Sequence, residues 1–129
     1  MGNPHFVIPV TDLAAVKLPE WGPRLENDPA FPSRSNVEFV ETVEAGRLRM
    51  RVWERGCGVT LACGTGSCAA VVAGVLAGRN GRRAIVTLDG GDLAIEWRES
   101  DNRVYLTGPA RMVFTGICFP EDFHHVSNQ

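Results

Sequence analysis

Residues 67–77, SCAAVVAGVLA, contain no charged side chain, and small or apolar residues fall on every face of a helical projection. A helix of that composition has no side to turn to water and must be enclosed by other elements. Gly78 supplies its stop. The enclosure has to come from strands, because the flanking segments alternate with a period of two. HFVIPV (5–10), NVEFVETV (36–43), RLRMRVWER (47–55), RRAIVTL (82–88), DLAIEWR (92–98), RVYLTG (103–108) and ARMVFTGIC (110–118) all read as strands. Ala45-Gly46 predicts an antiparallel hairpin between the second and third of these, with Glu38 and Glu41 on its polar side. LPEWGPRLEND (18–28) reads as a short helix with Pro19 in its first turn, followed by the proline-rich loop DPAFPSRS. The expected class is therefore α+β, a mostly antiparallel sheet rolled barrel-like around one central buried helix. Residues 1–120 are expected to form one lobe and 121–129 a polar, frayed tail.

A chain of 129 residues is of single-domain size, and 44% hydrophobic with 22% charged residues is the balance of an ordinary globular protein. With a net charge of −2 and twelve arginines and one lysine scattered among acids, nothing forms a phosphate-binding block, so no nucleic-acid partner is expected. No stretch has the roughly 18 apolar residues of a membrane span. The opening MGNPHFVIPV lacks the pattern of a secretory signal. The expectation is a cytoplasmic protein with no membrane partner, in which Cys57, Cys63, Cys68 and Cys118 are free thiols. Their spacings match no standard zinc arrangement, and no metal is expected.

The chemistry centres on Cys63, set between Gly58 and the glycines at 64 and 66, at the mouth of the apolar helix. Backbone N–H groups lack partners there and the helix dipole presents about half a positive charge. Such a position predicts a thiol whose pKa falls toward neutrality, making Cys63 the most reactive of the four. It also predicts that the backbone amides of Gly64 and Gly66, which carry no side chains, can closely approach a carboxylate or phosphate, and the lysine of a nucleotide-binding P-loop is absent. The structural alternative makes Gly64 and Gly66 a tight turn and Cys63 a small buried hydrophobe. Glu54-Arg55, at the end of a strand leading into the same loop, reads as a charged pair delivered to the site or as a structural ion pair. Cys68 is expected to face the core.

Four segments in order, MGNPH (1–5), NVEF (36–39), WERGCGVTLACGTGSCAA (53–70) and TGPARMVFTG (107–116), resemble the diaminopimelate epimerase family, and specifically its C-terminal half. The resemblance implies one lobe of a two-lobed fold. The implied activity is a cofactor-independent epimerase that interconverts LL- and meso-diaminopimelate, for lysine and peptidoglycan synthesis, by proton transfer between two cysteines. Cys63 resembles one of that pair, the other belonging to an N-terminal lobe that this chain lacks. Glu54 and His5 resemble the residues that tune the thiols. Asn3, Asn36, Glu54, Arg55, Gly64 and Thr65 resemble substrate-binding positions.

The chain departs from the family pattern at Phe6, where a cysteine is frequent, and at Val59, where glutamate is frequent. The absent lobe implies that the isolated chain is inactive and that its uncovered cleft face drives self-association into a homodimer. Competing readings are a proline racemase-like or isomerase lobe, a Cys63–His5 acyl-transfer hydrolase, and a non-catalytic carboxylate-binding module.

Overall fold

The computed structural model describes residues 1–117 and 119. Its elements run β1 (His5–Val10), α1 (Leu18–Glu26), β2 (Asn36–Glu44), β3 (Arg47–Glu54), β4 (Gly58–Thr60), α2 (Gly64–Leu76), β5 (Arg83–Leu88), β6 (Gly91–Trp97) and β7 (Val104–Thr107). The seven strands form one sheet in the order β1-β2-β3-β5-β6-β7, with β4 paired to β3 beside β5. β1 and β5 run parallel to β2 and β3 respectively, and the remaining pairings are antiparallel. The sheet curls around α2, which touches β1, β2, β5, β6 and β7, but β1 and β7 do not meet and the roll stays open.

Strand parity sorts the side chains between two cores. Phe6 and Ile8 of β1, Val37 and Phe39 of β2 and Trp53 of β3 pack with Leu13 and Leu18 beneath α1. Val7, Val40, Leu48, Met50 and Val52 turn the other way and pack with Ala70 and Val71 of α2. Each fully buried aliphatic side chain contributes on the order of 1.5–3 kcal/mol. Gly22 lets α1 lie directly on the Trp53 ring, since a Cβ at that position would fall inside it.

Three sequence expectations need correction. Glu38 is not on a solvent face: β2 is covered by α1 on one side and α2 on the other, so alternation there separates two cores rather than core from water, and the acid is fully buried. The 110–118 strand is not formed over 110–117, and Cys118 lies outside the described residues. Its apolar alternation is that of a strand, but a strand needs an edge to pair with, and this segment joins neither β1 nor β7; Met112, Val113, Phe114 and Ile117 are instead about four-fifths exposed (83%, 84%, 79% and 84%). Finally, α2 is enclosed only in part. Gly66, Ser67 and Ala69 to Val71 are buried, whereas Val72 and Val75 are half-buried and Leu76 is 74% exposed. The expected 121–129 tail lies outside the described residues.

Candidate active site

The parity that sorts the cores also gathers polar groups. In register, His5 lies opposite Asn36, and Val37 opposite Trp53, so His5, Asn36, Glu38 and Glu54 share the α2 side at one end of three adjacent strands. The N-terminus of α2 begins at the same end. The intervening turn and β4 carry the chain from Glu54 back along β3 before it enters the helix.

Cys63 is the N-cap of α2, with extended backbone (φ −140°, ψ 108°), and its Sγ accepts the Gly66 N–H at 3.4 Å. The Thr65 hydroxyl is 3.7 Å away, and Ser67 closes the turn by donating to the Cys63 carbonyl at 2.9 Å. The expected placement at the helix mouth is therefore correct. The expected direction of the pKa is not. Burial, to 6% exposure, pushes the Cys63 thiol up. The Gly66 and Thr65 hydrogen bonds oppose that push, and the charges of Glu54 and Glu38 add to it. The helix terminus is outweighed because the sulfur is desolvated beside two acids. At neutral pH the lobe holds Cys63 as a thiol. Cys68 is half-buried against the core, as expected, and its thiol is also pushed up by burial. Cys57 is exposed in the turn, its N–H donating to the Glu54 carbonyl.

Gly66 is required for packing. A Cβ there would lie 2.8 Å from Glu38 Oε1 and 3.2 Å from Cys63 Sγ. Gly64 and Thr65, the two residues before it, are exposed, and as the first residues of the helix their N–H groups have no intrahelical acceptor. Leu106 of β7 stands close over Gly64.

His5 Nδ1 is 2.7 Å from Glu38 Oε1 and its Nε2 is 3.2 Å from Asn3 Oδ1, both in nearly inaccessible surroundings on the histidine side. Burial raises the Glu38 carboxyl above the usual range, the contact with His5 acts against it, and the charge of Glu54 raises it further. Glu54 accepts a short hydrogen bond from the Thr60 hydroxyl. Asn36 is a clasp: its amide donates to the Pro4 carbonyl at 3.0 Å and accepts the Arg55 N–H at 3.0 Å, tying β1's entry to β3's exit. The Arg55 guanidinium donates to the Ser33 carbonyl, and Glu54 and Arg55 form no ion pair among the described residues. The structure thus brings His5, Asn3, Asn36, Glu54 and the Cys63–Thr65 loop to one end of the lobe, with Arg55 at its rim.

Two acids that the sequence reading did not select support this end. Glu38 is one. The other, Glu26 at the end of α1, accepts the Gly56 N–H at 3.0 Å, the Trp53 Nε1–H at 2.7 Å and the Arg34 guanidinium at 2.9 Å, and so fixes the turn after Glu54. A carboxylate inside the apolar run NVEFV was the available signal for Glu38. Nothing local marked Glu26. Among the described residues no group of three or more His, Cys, Asp or Glu side chains could hold a metal ion, and no helix is long and apolar enough to cross a membrane.

The fold is an open mixed sheet of seven strands rolled on one helix that Cys63 caps. In solved structures it superposes on a phenazine biosynthesis protein of the PhzF family from Bacillus anthracis, with a TM-score of 0.58 and 21% identity over 82% of this chain and 34% of that one. It also superposes on a PhzF-family protein from Enterococcus faecalis, with a TM-score of 0.60 and 16% identity over 76% of this chain and 35% of that one. At these identities the likeness is one of fold.

The sequence is more specific. The diaminopimelate epimerase family model matches residues 1–113, and the chain belongs to that family. It is 58% identical to the diaminopimelate epimerase of Rippkaea orientalis over 117 residues, covering 91% of this chain and 42% of that protein. With the diaminopimelate epimerase of Nostoc punctiforme it shares 60% over 116 residues, again 42% of the relative's length. The chain thus spans about two-fifths of the curated relatives it matches.

Proposed function

We propose that this chain is the C-terminal catalytic half of a cofactor-independent epimerase that interconverts LL- and meso-diaminopimelate, acting in the cytoplasm in lysine and peptidoglycan biosynthesis. The observation that carries the reading is the capping of α2 by Cys63, beside the open N–H groups of Gly64 and Thr65 and within the influence of Glu54 and Glu38, in a member of this family.

The chemistry follows from those groups. A substrate α-carboxylate bound at the Gly64-Thr65 amides sits on the positive end of the helix, where negative charge spreading from the α-carbon is stabilised. A thiolate of the N-terminal lobe removes the α-proton: the C–H bond breaks, an S–H bond forms, and the electron pair passes into the carboxylate-stabilised carbanion. Cys63, held as a thiol, delivers its proton to the opposite face and leaves as thiolate, so one thiol and one thiolate exchange sides. In the reverse direction the roles invert. Glu54 and His5 tune the two sulfurs. Asn3, Asn36, Glu54 and Arg55 take part in binding the substrate, Asn36 and Arg55 by exchanging their present main-chain partners for substrate atoms.

The partners are the small-molecule substrate and the N-terminal lobe, which supplies the second thiol and excludes water from the cleft. Without that lobe the chain lacks a proton acceptor on one face and is inactive, and its uncovered apolar side favours self-association into a homodimer. In a two-lobed protein containing this chain, incubation with LL-diaminopimelate in D2O should give meso product with deuterium at the α-carbon. Cys63→Ser should lower that rate by about 10²–10⁴-fold. An unchanged rate in the variant would overturn the reading.

A further inference from the structure

Glu38 is the group at this site for which the two-cysteine scheme has no use. Its side chain is 0% exposed in the middle of β2, where a carboxylate is costly unless its oxygens are matched. Among the described residues only one is matched: Oε1 meets His5 Nδ1 at 2.7 Å, and Oε2 has no hydrogen-bond partner there. An aliphatic residue here would simply join Val40 on the α2 side without that cost. What the carboxylate adds is its hold on the imidazole, reached across the parallel β1–β2 ladder from two residues beyond the Asn36 position opposite His5. It is braced in place by Gly66, whose missing side chain leaves the room that Oε1 occupies.

We infer that Glu38 is a positioning residue: by accepting the Nδ1–H of His5 it fixes the ring in one tautomer and one orientation, leaving Nε2, beside Asn3, as the nitrogen free to exchange a proton. A ring held through Nδ1 presents a single, defined nitrogen, which is how an orienting carboxylate makes a histidine serve as a directed acid or base. Nε2 faces Asn3 Oδ1 at 3.2 Å, so a protonated Nε2 donates to that oxygen, and a bare one is met by the amide nitrogen once the Asn3 side chain turns over. The other groups near the pair are Glu54 of β3 and Cys63 with the N-terminus of α2. The Arg55 guanidinium is engaged by Ser33 and does not compete for Glu38. The consequence for turnover rests on the epimerase reading, whereas the tautomer stands on this geometry alone.

The test separates the two. Long-range 1H–15N correlation of the chain labelled at histidine reads which ring nitrogen of His5 carries the proton. The native chain should show Nδ1–H, and Asn3→Ala should leave it so. Glu38→Leu, which keeps the volume, should lose the Nδ1–H preference, and Glu38→Gln, whose amide oxygen still accepts, should restore most of it. In the two-lobed protein, Glu38→Leu should lower kcat at least about tenfold with KM within about twofold, and Glu38→Gln should recover part of the loss. A native His5 protonated at Nε2 alone, or a folded Glu38→Leu chain that keeps Nδ1–H, would overturn the inference. So would a tautomer switch that leaves kcat unchanged. Absence of turnover in the native two-lobed protein would instead sink the epimerase reading and leave the tautomer result standing.

Discussion

On one face of the sheet, α1 covers Val37 and Phe39 with Leu13 and Leu18, and Trp53 seals against Gly22. On the other face, α2 covers Val40, Met50 and Val86 with its first half, while Val72, Val75 and Leu76 are left partly or largely open. The apolar segment 110–117 adds further uncovered surface to the lobe. A monomer of this size does not ordinarily leave such residues in water. The two faces differ in that one is sealed by its own helix, whereas the other is left open along the C-terminal half of α2, at the end opposite the Cys63 cap.

The largest effect that can test this contrast is in the closed core. Leu18→Ala, under α1 at 1% exposure, should cost about 2–5 kcal/mol of unfolding free energy. Leu76→Ala, at the open end of α2, should stay within about 0.5 kcal/mol in the same chemical denaturation series. Equal losses at the two positions would mean that α2 is as well enclosed as α1.

A smaller effect sharpens the comparison at the site itself. Alanine normally stabilises an interior helical position relative to glycine by about 0.5–1 kcal/mol. At Gly66 the added methyl meets Glu38 and Cys63, so Gly66→Ala should instead destabilise by about 1–3 kcal/mol. A gain in stability would show that the α2 terminus is looser than described.

The subtlest test is the order of thiol alkylation. Because burial and the neighbouring acids raise the Cys63 thiol, Cys57 should be modified first at neutral pH, and modification of Cys63 should grow only as pH rises above the ordinary thiol range. The same shift carries a sign for stability. A thiol whose folded pKa is raised contributes stability that is present below its unfolded value and lost as pH rises through the folded one. Cys63→Ala should therefore flatten the alkaline loss of stability. Mass spectrometry showing Cys63 modified ahead of Cys57 at pH 7 would reverse the assignment of its resting state.

Much of this arrangement was readable in the residues. The all-apolar run after Gly66 demanded a helix with a sheet around it, Ala45-Gly46 placed the hairpin, and the position of Cys63 at the helix cap followed from the glycines around it. What escaped reading depends on contacts distant in sequence. Period-two alternation at 36–40 says that two faces differ, but not that both are covered, so Glu38 looked solvated. The same alternation at 110–117 does not say whether a sheet edge takes the segment up, and it joins neither β1 nor β7. The pKa of Cys63 turned on a competition between a helix terminus and burial beside Glu54 and Glu38, and only the first of these is local.

In the proposed reaction this lobe carries one half of a two-base site. The most direct measurement is formation of meso-diaminopimelate from the LL isomer by the purified chain, alone and mixed with a separately expressed N-terminal lobe. The expected result is no turnover by the chain alone and turnover on adding the second lobe, because inversion requires a proton acceptor and a proton donor on opposite faces of one carbon. Sustained epimerisation by this chain alone would contradict it.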